Sequence, residues 1–280
     1  MDRDQAIQEA LAKLCEIADR DSREADSMMS LNSDQALELE EWDYCGDLER
    51  VLANLTDQAG NKAAFECISK FEELPANDPL GSGDHVNAMY RELAGVLAAR
   101  GEIALAREAA QKIERGRSSC SDLGPFDGCI EIASVTKRQN DIYYARTVAL
   151  NESNAFAAVT DCIKIARTFK LPMDQAIVRE LLNKDELTET GREWFYVFSF
   201  LDLSEIYHDE TDFRSALSRF ELISPQDDHR EVCTNSILLH LVGLAKTDTP
   251  MAVRLARSIR DLDLRDKAMN EVNNSRLDVS

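Results

Sequence analysis

Apolar positions recur every three or four residues along most of the chain, and the runs break at short polar stretches. That spacing places the apolar side chains on one face of a helix. The pattern then repeats at a larger scale. Val51 and Ala64, Leu93 and Ala106, Ile132 and Ala145, and Leu203 and Ala216 are each 13 residues apart. Between the members lie the polar turns DQAGN (57–61), ARGE (99–102), RQND (138–141) and HDETD (208–212). Each pair predicts a helix A, a turn and a helix B with a small residue at one fixed position. Helix B continues four and seven residues on, as Ile68/Phe71, Ala110/Ile113, Phe220/Ile223 and, after Ala252, Ala256/Ile259.

Two further units read as tighter turns, with Ile165 preceding Ala176 by 11 and Leu241 preceding Ala252 by 11. Each carries Pro-Met, at 172–173 and 250–251, where proline suits the first turn of helix B. The phrase Cys129-Ile130-x-Ile132-Ala133 returns 33 residues later as Cys162-Ile163-x-Ile165-Ala166. The helix-B alanines at 36, 64, 106, 145, 176, 216 and 252 are spaced by 28 to 42 residues, a length that suits a two-helix repeat. Asp34-Gln35-Ala36-Leu37 echoes Asp4-Gln5-Ala6-Ile7 and Asp174-Gln175-Ala176-Ile177, which starts the pattern near the N-terminus. The expected organisation is N-terminal helices over 1–45 that are degenerate or capping repeats, a hairpin array over 46–260, and a capping helix and tail over 261–280.

Leu93, Ala94 and Leu97 follow a large-small-large order, and Ala106, Ala145 and Ala216 supply a small helix-B residue 13 positions after the first large one. In these residues the chain resembles the tetratricopeptide-repeat family, with most of its aromatic signatures missing and, in most units, without its closing proline. The resemblance implies an all-α fold, an α-solenoid of antiparallel helix-turn-helix repeats wound as a right-handed superhelix. It also implies a concave groove of the kind that binds peptides or proteins. Small residues where helices A and B cross serve close approach of the two axes, and repetition of the hairpin buries stripes that one hairpin leaves exposed.

Composition agrees with helices: glycine (11) and proline (6) are scarce, and 44% of the 280 residues are hydrophobic. Fifty-two acidic against 32 basic residues leave a net charge of −20, which repels nucleic acid and anionic membrane surfaces. The first hundred residues hold 22 acidic and 9 basic side chains. Seven cysteines include no C-x-x-C pair, and those of the repeated phrase read as reduced packing residues. With no basic-then-apolar leader and no long uncharged apolar run, the expected location is cytoplasmic.

Signals of chemistry are sparse. Glu205-x-x-His208 has the i, i+3 spacing of di-iron helical bundles, but one copy stands where two are needed. His85, His229 and His240 lack metal-ligand spacing, and Gly81-Ser82-Gly83 has no following lysine to touch a phosphate. WFYVFSFLDL (194–203) reads as an enclosed helix or, alternatively, a hydrophobic binding strip. The acidic stretch ELEEWDYCGDLE (38–49) reads as a solvated face or as a dock for a basic peptide, with Trp42 or Tyr44 stacking on its cations.

The expected function is that of a non-catalytic scaffold, without metal or cofactor, recruiting a protein or peptide through its concave face. Candidate partner-binding residues are Glu38, Glu40, Glu41, Trp42 and Tyr44 in the acidic stretch, and Asn87, Arg91, Lys137, Arg167 and Asn235 on helix A of successive units. The alternatives are a metal-dependent enzyme using Glu205 and His208, and a structural protein that self-associates.

Overall fold

A computed structural model describes residues 2–30, 44–72, 83–114, 124–183 and 192–277. These residues form fourteen α-helices, and no strand occurs among them. The chain divides into two compact units, Met1–Val148 and Ala149–Ser280.

Unit 1 opens with the long α1 (Arg3–Ser30), followed by α2 (Tyr44–Ala59), α3 (Asn61–Glu72), α4 (Gly83–Ala99), α5 (Ile103–Gln111), α6 (Pro125–Thr136) and α7 (Gln139–Leu150), the last ending just past the division. Turns of one to three residues join α2 to α3, α4 to α5 and α6 to α7. The first helices of these pairs also pack on one another, α2 against α4 and α4 against α6, while α1 covers α2 and α3. Each turn falls in or beside a polar stretch expected to break the pattern. Pro125 starts α6, where its missing N–H costs nothing, and the Asp127 carboxylate accepts the Gly124 N–H at 2.8 Å.

Unit 2 contains α8 (Ala155–Phe169), α9 (Pro172–Leu182), α10 (Glu193–Tyr207), α11 (Glu210–Phe220), α12 (His229–Thr247), α13 (Thr249–Ser258) and α14 (Leu262–Leu277). Its pairs are α8/α9, α10/α11 and α12/α13; α8 packs on α10, α10 on α12, and α14 against α12 and α13. The Asn154 and Asp248 side chains cap α8 and α13 by accepting first-turn N–H groups. Pro172 and Pro250 stand in the first turns of α9 and α13, as the sequence predicts.

The helix-B positions Ala64, Ala106, Ala145, Ala216 and Ala252 are all fully buried. One register needs correction. Ala176 is exposed, and Val178 has no accessible surface, so the spacing from Ile165 is 13 and the turn is not tightened. Backbone conformation shows the same register. Lys137, Lys170 and His208 share a φ of 52° and stand eight residues before Ala145, Val178 and Ala216. Each caps its helix in the left-handed region that glycine usually supplies. Ala36 lies outside the described residues.

WFYVFSFLDL is enclosed on most of its surface: Tyr196, Val197, Phe200, Leu201 and Leu203 are buried, Trp194 stacks on His229 with ring centroids 5.0 Å apart, and half-buried Phe198 faces a cleft. The repeated phrase is buried as well, at Cys129, Ile132 and Ala133 and at Cys162, Ile165 and Ala166. Burial pushes the Cys129 thiol up to about 12, with Arg107 opposing and Asp127 adding to the shift. Alkylation of the native protein, mapped by mass spectrometry, should therefore reach half-buried Cys15 before Cys129 and Cys162, which should be modified only after denaturation. Early native labelling of the repeated pair would remove the packing interpretation.

Candidate functional site

The first-helix faces of the two units differ in how far they satisfy themselves. In unit 1 the Arg91 guanidinium bonds Glu92 and the Cys45 sulfur, so its charge is spent within the protein. Gly95 leaves room for the Glu131 side chain, whose Cγ would lie 3.1 Å from an added Cβ. Burial, joined by the Glu92 and Glu49 charges and opposed by Arg91, raises the Glu131 carboxyl above its ordinary value.

In unit 2 a cleft of about 560 Å³ opens between α10 and α12. The helical period explains its lining. Leu201, Ser204 and Glu205 share one face of α10, with His208 at its cap, and Ser236, Leu239, His240, Gly243 and Thr247 share one face of α12. A Cβ on Gly243 would meet nothing within 4 Å, so this position faces open space. Phe198 and Leu239 are apolar walls, and Leu239 is 71% exposed. Asp202 and Glu205 bring two carboxylates to the lining, which has no lysine or arginine.

His240 stacks on Phe213 at 5.4 Å, and its Nε2 lies 3.3 Å from the Ser204 Oγ. Burial lowers its pKa, with Glu205 opposing and His208 adding to the shift. Ser204 is itself buried, and among the described residues no carboxylate hydrogen-bonds the other nitrogen of His240. This pair lacks both the exposed hydroxyl and the oriented base of a nucleophilic dyad. Burial raises the Asp202 carboxyl, with Glu205 adding and Arg167 opposing from 2.6 Å. His208 holds the α10 cap, and among the described residues no group of three His, Cys, Asp or Glu side chains is arranged to hold a metal ion.

The sequence-derived candidates are dispersed. Arg167 reaches the cleft edge through Asp202, and Asn235 is exposed on α12 beside the lining residue Ser236. Asn87 has no accessible surface; its amide donates to the Glu114 carbonyl at 3.0 Å and accepts the Glu114 N–H at 3.1 Å. It ties down the chain after α5 and is not open to a partner. Lys137 is an exposed turn residue whose backbone terminates α6. Glu38, Glu40, Glu41 and Trp42 lie outside the described residues, as does the side chain of Tyr44, which begins α2. A second cleft of about 600 Å³ between α1 and α2 is lined by Lys13, Arg20 and Arg50 as well as Glu16 and Asp47, and Arg50 is already paired with Asp47 at 2.6 Å.

Sequence reasoning missed Asp202, Ser204 and Leu239, and it read Glu205 and His208 as a metal spacing. The available signal was a leucine on the same α12 face as Ser236 and Gly243, outside the buried stripe of Cys233, Ile237, Leu241 and Leu244. Among the described residues no helix is long and apolar enough to cross a membrane. No family model, curated protein or solved structure matches the chain.

Proposed function

We propose that this protein is a non-catalytic scaffold whose units are short runs of tetratricopeptide-like repeats, binding a segment of another protein along the first helices of the hairpins. The observation that carries this reading is the α10/α12 cleft, where exposed Leu239 stands among polar and charged side chains around open space. A leucine in water is ordinary when isolated, but one walling a concavity of this volume offers apolar area for a partner to cover. Ser204 and His240 serve the packing of α10 on α12 and are not reacting groups.

Affinity purification of tagged wild-type and Leu239→Glu chains, followed by quantitative mass spectrometry, tests the proposal. Leu239→Glu should leave the melting temperature nearly unchanged, as a surface substitution within about 0.5 kcal/mol. It should deplete a defined set of partners that Tyr143→Glu, changing an exposed tyrosine on α7, retains. Identical partner sets for all three chains would sink the groove reading.

A further inference from the structure

We infer that the α10/α12 cleft selects a peptide segment in which a lysine or arginine lies beside a large apolar side chain. This rests on the groove-binding function proposed above and specifies its ligand. Charge complementarity supplies the first argument. Glu205 is exposed and makes no hydrogen bond or ion pair with a described residue, while Asp202, a lining carboxylate on the same helix, is paired with Arg167. A cation entering there faces the unpaired Glu205 carboxylate, with Asp202 beside it already joined to Arg167 at 2.6 Å, and no lysine or arginine lines the space; an acidic segment meets repulsion from Glu205.

The apolar walls supply the second argument. Phe198, Leu201, Leu239 and Leu244 line the same space, so a free metal ion or small polar cation would leave their surface uncovered. A volume of about 560 Å³ accommodates a few side chains and is too small for a docked helix. The cleft is therefore suited to anchor side chains projecting from an extended or turning segment. Residues 149–280 hold 23 acidic and 16 basic side chains, and this smaller acidic excess acts in the same direction at long range.

The test uses the full chain and a random-peptide phage library, with enriched peptides then resynthesised and titrated by fluorescence anisotropy. Enriched sequences should carry Lys or Arg next to Leu, Ile, Phe or Met. Their affinity should fall at least about tenfold for Glu205→Lys and for Leu239→Glu, both at exposed positions, and should weaken as salt rises from 0.05 to 0.5 M. Acidic or uncharged peptides that are lost with Leu239→Glu would overturn the basic preference and leave the groove function standing. Basic peptides indifferent to Glu205→Lys would also overturn it. Peptides indifferent to Leu239→Glu, or no enrichment on the wild-type chain, would overturn both.

Discussion

Ala106→Glu should cost about 3 kcal/mol or more of stability in unit 1, enough to remove a large fraction of what holds an ordinary domain folded. Ala106 has no accessible surface and lies on α5, which packs against both α4 and α6. The substitution forces extra volume and an unpaired carboxylate into that contact. Glu102→Ala, four residues earlier, is the control: Glu102 is exposed and its side chain makes no capping bond, so the change should stay within about 0.5 kcal/mol. The same contact sets the sign of a subtler test. A Cβ on Gly128 would lie 2.5 Å from the Ala110 Cβ and 2.7 Å from its Cα, so the backbones of α5 and α6 would have to separate. Gly128→Ala should destabilise, although alanine is the better helix former by about 1 kcal/mol. Gly243→Ala, facing open space on α12, should stabilise by up to that amount. Urea unfolding monitored by circular dichroism decides all four; equal behaviour of the two glycine variants would mean that the α5/α6 contact is wrongly placed.

The helices were legible because their apolar period is long and rarely interrupted, and each turn announces itself by polar residues, glycine or proline. The error at Ala176 is instructive because the correct position was already in the sequence. The repeated CIxIA phrase is offset by 33 residues, and Ala145 displaced by 33 is Val178. The turn sets the register, through left-handed Lys137 and Lys170 at matching positions, and the α9 contact accommodates valine.

The cleft was less legible because it belongs to no single segment. Ser204 and His240 are 36 residues apart and meet only because α10 packs on α12. Periodicity says which residues share a helix face, but not whether that face meets another helix, a turn or water. Asn87 shows the consequence: a polar residue at a helix-A position looked like groove lining, and its amide instead closes the end of the following helix. His208 shows it again, since an i, i+3 pattern resembling metal chemistry places its second member in a left-handed cap.

Arg179→Ala should cost about 3–5 kcal/mol in unit 2, because it strands a buried carboxylate. Asp212 is only 1% exposed at its side chain and receives the Arg179 Nε at 2.7 Å and the Gln175 amide at 2.8 Å. The other arm of Arg179 reaches Asp209 at 2.7 Å, so one guanidinium bridges two carboxylates of the next hairpin. In unit 1, Arg107 follows Ala106 as Arg179 follows Val178, and it binds buried Asp141 at 2.9 Å. The bridge recurs because the hairpin does. Arg179→Lys should recover only part of the loss, since an ammonium lacks the planar fork that spans both carboxylates. Arg179→Leu combined with Asp212→Leu should be more stable than Arg179→Ala alone, because no charge is then left buried. Acid supplies an independent check. Burial opposes ionisation of Asp209, but bonds from Thr211, Arg179 and Gln175 outweigh it and hold the carboxyl at about 2. An unfolded aspartate titrates near 3.9, so these bonds contribute fully above that pH and are lost as pH falls toward about 2. The stability gap between wild type and Arg179→Ala, measured by urea unfolding across that window, should therefore narrow as the solution is acidified. A gap that stays constant would show that Arg179 acts through packing alone.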